Sequence, residues 1–226
     1  MATVQLSFTT LINATPIIIQ MTDQWVIKLG GSLFSSHHLI QWLDALSKTS
    51  AIIVPGGGPF ADAVRQAQAR WQFDDTTAHH LAILAMQQYG RLLAGLCPRL
   101  SVATRLEALA QRQTQAIVWL PNPKELDAAG IPARWDITSD SLAAWLAGQV
   151  QAKHLLLIKS VAELDQPTSL ARETNLAEAV AWGWVDPAFS RYAVNQSFQT
   201  WLCGPQGYGN LHQGFTQPTG VFSLLR

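Results

Sequence analysis

Two glycine clusters, each placed directly after a short apolar segment, constrain this chain more than any other feature. Residues 24–29 (Gln-Trp-Val-Ile-Lys-Leu) read as a strand running into Gly30-Gly31-Ser32. Residues 51–54 (Ala-Ile-Ile-Val) read as a second strand, ending in Pro55-Gly56-Gly57-Gly58-Pro59. Glycine at a strand end lets the backbone turn tightly and brings N–H groups up to a ligand with no Cβ between. In open α/β sheets, ligands bind beyond the carboxyl ends of the strands. Two such loops at one sheet edge make a cradle for phosphate oxygens. A lone cluster is as readily a plain strand-to-helix turn; the pair together favours the cradle. Neither loop fits GxxxxGK[ST] or GxGxxG, so neither a P-loop nor a dinucleotide fingerprint is present.

The rest of the chain alternates in the same way. Helical stretches are expected at residues 38–46, 61–71, 77–96 and 141–150, and further strands at 116–120, 154–158, 200–203 and 220–224. This is the pattern of an α/β protein with a mainly parallel sheet covered by helices. A length of 226 residues suits one domain, or two lobes sharing a sheet. With 48% hydrophobic and 13% charged residues, a sizeable core forms. The first clear strand begins at residue 24, so residues 1–23 are read as an extension and 24–226 as the domain. The first basic residue is Lys28, so residues 1–20 lack the positive region of a secretion signal.

Fifteen basic residues balance fifteen acidic ones, which argues against nucleic acid or an anionic membrane as the main partner. No apolar run approaches the roughly 20 residues of a membrane span. Cys97 and Cys203 are far apart and outside any CxxC pair, so neither a disulfide framework nor a zinc site is expected. The setting inferred is the reduced cytoplasm.

Chemistry concentrates on three residues. Lys28 ends a strand that otherwise reads as buried, and a buried lysine needs an anionic partner. A bound polyphosphate supplies one; an edge lysine reaching solvent is the plainer alternative. Asp140 falls in the first turn of a helix capped by Thr138 or Ser139, where the dipole favours a carboxylate. Capping alone explains it. Lys159 ends the strand at 154–158; if that strand neighbours the first, Asp140 holds both lysines by charge-assisted hydrogen bonds.

In order along the chain stand Lys-Leu-Gly-Gly-Ser (28–32), Pro-Gly-Gly-Gly-Pro-Phe-Ala-Asp (55–62), Thr-Ser-Asp-Ser-Leu-Ala-Ala (138–144) and Leu-Leu-Leu-Ile-Lys-Ser-Val (155–161). This series resembles the amino acid kinase family, and the closing Gly214-Phe215-Thr216-Gln217-Pro218-Thr219-Gly220 resembles that family's C-terminal Gly–Thr strand. The resemblance implies a three-layer αβα sandwich and in-line phosphoryl transfer from ATP with Mg2+, without a covalent intermediate or a protein-held metal. It places Lys28, Asp140 and Lys159 in the catalytic set. Lys28, Gly30, Gly31, Ser32, Gly56, Gly57, Gly58, Lys159 and Ser160 then hold nucleotide phosphates.

The sequence departs from the family in two places. Residues 181–189 (Ala-Trp-Gly-Trp-Val-Asp-Pro-Ala-Phe) carry no lysine where a Gly-Gly-Met-x-x-Lys stretch is common, which makes Lys159 the candidate second cation. Lys159-Ser160-Val161-Ala162-Glu163-Leu164 stands where Val-Asp-Gly is common. These departures, with residues 78–90, resemble the subgroup that converts [5-(aminomethyl)furan-3-yl]methyl phosphate to its diphosphate in methanofuran-type cofactor synthesis. Asp62, Asp75, His79, Tyr89 and Ser139 are the candidate acceptor-binding residues. A phosphate monoester needs no general base, and around the glycine loops lysines and amides outnumber bases. Two alternatives stay open: another monoester kinase, acting on uridylate or isopentenyl phosphate, and a non-catalytic nucleotide or anion binder. The apolar residues spread around the helix at 77–96 point to a homodimer.

Overall fold

The computed structural model describes residues 23–111, 113–165 and 173–226. The extension expected at residues 1–23 lies, Asp23 apart, outside the described residues. Eight strands among them form one sheet: β1 (Trp25–Leu29), β2 (Ile52–Pro55), β3 (Ser101–Ala103), β4 (Ile117–Trp119), β5 (His154–Ile158), β6 (Glu173–Thr174), β7 (Gln199–Cys203) and β8 (Ser223–Leu225). Their order is β3-β4-β2-β1-β5-β7-β8-β6. Neighbours pair in parallel except β7 and β8, which are antiparallel. The helices are α1 (Leu39–Leu46), α2 (Gly58–Trp71), α3 (Asp75–Leu96), α4 (Leu106–Ala110), α5 (Pro123–Ala128), α6 (Ser139–Gln149), α7 (Leu176–Ala181), α8 (Phe189–Ala193) and α9 (Leu211–Thr216).

Successive side chains of a strand point to opposite faces, and a central parallel strand is buried on both. In β1, Trp25, Ile27 and Leu29 join Ile53, Leu156 and Trp42 of α1 on one face. Val26 joins Ile52, Val54, Leu155, Leu157 and Leu142 of α6 on the other. α3 reaches both cores, through Tyr89 and Leu93 on one and Ile83 and Met86 on the other. Helices on two sides of a mainly parallel sheet are the three-layer αβα arrangement expected. No helix of the described residues is long and apolar enough to cross a membrane.

The two glycine loops meet at the carboxyl ends of adjacent strands. Gly56 N donates to Leu29 O at 2.9 Å. A Cβ on Gly31 would lie 2.9 Å from Gly58 Cα, and one on Gly56 would lie 2.8 Å from Gly31 Cα. Backbone therefore packs directly on backbone, and Gly58 adds a φ of +53°.

Two details differ from the sequence expectation. Residues 220–224 are not a strand from their start: Pro218–Gly220 form a 3-10 turn, and β8 begins at Ser223. Pro218 fixes φ and lacks an N–H, which favours the turn over a ladder. α3 also starts earlier than expected. It starts at Asp75, because Asp74 caps it by accepting from Thr77 N at 2.8 Å. Thr77, Leu81, Leu84, Gln88, Arg91 and Gly95 form its exposed stripe, with Leu84 41% exposed.

Candidate active site

Lys28 lies on β1 opposite Val54 and Leu157, facing the side covered by α6, and is only 5% exposed. Lys159 follows β5 two residues beyond Leu157, so strand alternation places it on the same side. α6 begins above both. Its Ncap Thr138 accepts from Asp140 N, and Asp140 sits in the first turn, 4% exposed.

The aspartate spans the two lysines. Lys28 Nζ stands 2.9 Å from Asp140 Oδ1, an ion pair outside good hydrogen-bond alignment, and Lys159 Nζ donates to Asp140 Oδ2 at 2.8 Å. Burial alone would raise the Asp140 carboxyl, but the charges of Lys28 and Lys159, with the hydrogen bond from Lys159, hold it down at about 2. Burial, followed by the charge of Lys28, pushes Lys159 down to about 8 against the pull of Asp140. Two cations and one anion leave a net positive charge among buried groups, which calls for an anionic ligand. Ser32 and Ser160 close the arrangement, their hydroxyls 2.8 Å apart.

A cavity of about 410 Å³ opens beside the triad. Lys28, Gly31, Ser32, Gly57, Gly58, Ser139, Asp140 and Lys159 line its polar end, and Ala82, Ile83, Met86 and Ile137 line it with apolar surface. Asp62, Arg65, His79, Arg134 and Trp135 complete the wall. Arg65 is held by Asp62 at 2.8 Å and by the face of Trp135, 4.7 Å from the ring centre. Trp135 in turn donates to Gln68 of α2 at 2.6 Å.

The structure thus brings Lys28, Asp140 and Lys159 together, with Gly30, Gly56 and Ser160 beside them and the remaining expected phosphate-loop residues on the cavity wall. Among the expected acceptor residues, Asp62, His79 and Ser139 line the cavity. Asp75 does not; it faces outward and accepts from Gln68 at 2.9 Å. Tyr89 is fully buried beneath the glycine loop, near Gly58, rather than on the wall.

Sequence reasoning gave no role to Asp186, which lies inside the stretch that lacks the expected lysine. Its carboxylate accepts from Thr138 N (3.0 Å), Thr138 Oγ1 (2.7 Å), Ser141 N (3.0 Å) and Ser141 Oγ (2.5 Å). It satisfies the free N–H groups that open α6 and compensates their dipole. No local signal marks it, because its partners lie 45 to 48 residues away in sequence. Arg134 and Trp135 were likewise missed, since only the folded loop sets them on the cavity.

The model of the amino acid kinase family matches residues 23–169. Over 141 residues the chain is 27% identical to the [5-(aminomethyl)furan-3-yl]methyl phosphate kinase of Methanocaldococcus jannaschii, a match covering 60% of this chain and 65% of that protein. Among solved structures, uridylate kinase from Archaeoglobus fulgidus aligns with a TM-score of 0.66 at 14% identity, covering 89% of this chain and 99% of that one. UMP kinase from Bacillus anthracis aligns with a TM-score of 0.66 at 13% identity, covering 90% and 96%.

Asp186→Ala strips the start of α6 of its buried acceptor. The expected loss is about 2 kcal/mol or more, read in thermal denaturation as a fall of roughly 4–8 °C for a chain of this size. An unchanged melting temperature would remove Asp186 from the support of the site.

Proposed function

Because the chain belongs to the amino acid kinase family, we propose that it is an ATP-dependent kinase converting a small phosphate monoester to a diphosphate. The observation that carries this reading is the buried pair of lysines sharing one aspartate beside a glycine-lined cavity. Gly30, Gly31, Ser32, Lys159 and Ser160 hold the nucleotide phosphates on backbone N–H, hydroxyl and ammonium groups. The absence of any Cβ where the two glycine loops touch fits that role. Mg2+ bound with ATP would add to the charge neutralisation that Lys28 and Lys159 provide.

The acceptor lies in the cavity with its phosphate toward Lys28, Gly57 and Gly58. One of its anionic oxygens attacks the γ-phosphorus in line; the bond to the ADP oxygen breaks, and a P–O–P linkage forms. The nucleophile carries no proton that must leave, so no general base is required. Lys28 and Lys159 neutralise charge on the transferring group, while Asp140 keeps both ammonium groups aimed. The finer reading is that the acceptor is [5-(aminomethyl)furan-3-yl]methyl phosphate, supported by the curated relative and by the apolar surface of Ala82, Ile83 and Met86 that suits a small ring. The reduced cytoplasm fits the two buried free thiols, Cys97 and Cys203.

Purified protein with MgATP and three acceptors (the furan phosphate, UMP and isopentenyl phosphate) tests the proposal through ADP release and phosphorus NMR. The furan phosphate is expected to give coupled diphosphate resonances, and Lys28→Ala to lower turnover by about 10²–10³. A lone monoester signal formed from an alcohol would overturn the reading, and turnover of UMP or isopentenyl phosphate alone would move it to another acceptor.

The lowered Lys159 gives a pH signature. Its ammonium form, present below about 8, is the active one, so kcat/KM for ATP should fall as pH rises through that value. ATP bound next to Lys159 stabilises the charge, so the corresponding limb in kcat should lie higher. Lys159→Arg should abolish the limb while retaining part of the activity. A limb unchanged in that variant would assign it elsewhere.

The exposed Leu81 and Leu84 of α3 supply apolar surface for a second copy, and a homodimer is the proposed assembly. Light scattering at micromolar concentration is expected to give twice the 24.8 kDa chain mass. A monomer there would count against it.

A further inference from the structure

Arg65 and Trp135 line the cavity beside the lysines and also a second hollow, of about 500 Å³, whose far side is formed by Ala69, Gln72, Phe73 and Asp75. Among the described residues they alone line both spaces, and so stand between them. Gly58 and Arg65 are seven residues apart on α2, which puts Arg65 about 10 Å along the helix from the glycine loop. The Trp135 ring lies over Arg65, its centre 4.7 Å from the guanidinium carbon. The cavity thus runs from the glycine loop at Gly58 to an end wall at Trp135.

That wall is tied down. Trp135 Nε1 donates to Gln68 Oε1 at 2.6 Å. The amide of Gln68 is itself held, because its Nε2 donates to Phe73 O at 3.2 Å and to Asp75 Oδ1 at 2.9 Å. Flipped, it would set its NH2 against the indole N–H and its oxygen against two acceptors. Trp135, on the loop before α6, is thereby fastened to α2 and, through Gln68, to the start of α3. Asp75, which faces away from the cavity, anchors its wall from behind. Arg65 is the looser of the two partition residues: half-exposed, it pairs with Asp62 at the end of a flexible stem.

Resting on the kinase reading, we propose that Trp135 sets the length of the acceptor. The substrate class is a phosphate monoester whose body ends within about 10 Å of the glycine loop, room for the phosphate and one small ring. A second ring in line meets the indole, which the Gln68 bond keeps from swinging aside, and the clash rejects it.

Benzyl phosphate and (biphenyl-4-yl)methyl phosphate are matched probes, with binding measured by calorimetry and turnover by ADP release. The full chain is expected to bind benzyl phosphate at least about tenfold more tightly. Trp135→Ala, which joins the cavity to the hollow, should cut that preference to less than about twofold by tightening the longer compound, with the KM for ATP unchanged. Gln68→Ala, which keeps the indole but releases it, should give an intermediate preference. Equal binding of the two probes, binding of neither, or a preference retained in Trp135→Ala would overturn the assignment. So would a preference lost because benzyl phosphate binds more weakly, since Trp135 would then be a contact and not a limit. If Trp135→Ala fails to fold, Gln68→Ala decides, and must bind the longer compound more tightly than the unaltered chain does. A preference in binding with no product from either probe would sink the kinase reading and leave the role of Trp135 standing.

Discussion

Everything at the cavity depends on one carboxylate holding two ammonium groups in a place from which water is largely excluded. Two lysines brought together at low dielectric repel, and neither tolerates burial unpaired. Asp140 compensates for one charge, and the surplus charge remains at the mouth of a glycine cradle. The fold supplies the rest: β1 and β5 must be neighbours in parallel register, and α6 must start directly above them. A helix start is also the place in a protein where a carboxylate is held most cheaply in its ionised form. The Asp140 carboxyl is held low against its burial by the two lysine charges.

The framework of this arrangement was legible in the sequence because each part breaks a local pattern. Lys28 interrupts an apolar strand, and glycines follow two strands where ordinary residues would do. Asp140 lies behind a capping threonine. What was not legible depends on contacts between distant segments. Asp186 reads as one more acidic residue in a tryptophan-rich stretch until the fold sets it under Thr138 and Ser141. Arg65 and Arg134 carry no mark in the sequence, because only the fold brings them to the cavity beside Trp135. Asp75 and Tyr89 show the converse, named in advance but not on the cavity wall. The resemblance named both, but it does not say which side of α3 faces the cavity. β3 and β6, of three and two residues, are too short to leave a pattern at all.

The stretch at 181–189 was expected to carry a lysine and has another part in the fold. No lysine stands there, and the second cation bound to Asp140 is Lys159, one residue past the last β5 residue paired with β1. It shares the aspartate that already holds the first. The same stretch contributes Asp186 to the support of α6, and so still serves the site from behind. One side chain thus replaces direct charge with placement of another group's charge.

α6 is buried on nearly every side, with Ser139, Asp140, Ser141, Leu142, Ala143, Ala144, Leu146 and Ala147 all enclosed. Its small residues let it lie close against the sheet, with Phe189 of α8 in the same core. A helix so enclosed has no inexpensive way to fray. Its amides should exchange with solvent hydrogen only when the sheet core itself opens. The aspartate that organises the charges is therefore carried by a helix expected to exchange slowly. Adjustment to different ligands falls instead to the walls contributed by α2 and by the loop before α6.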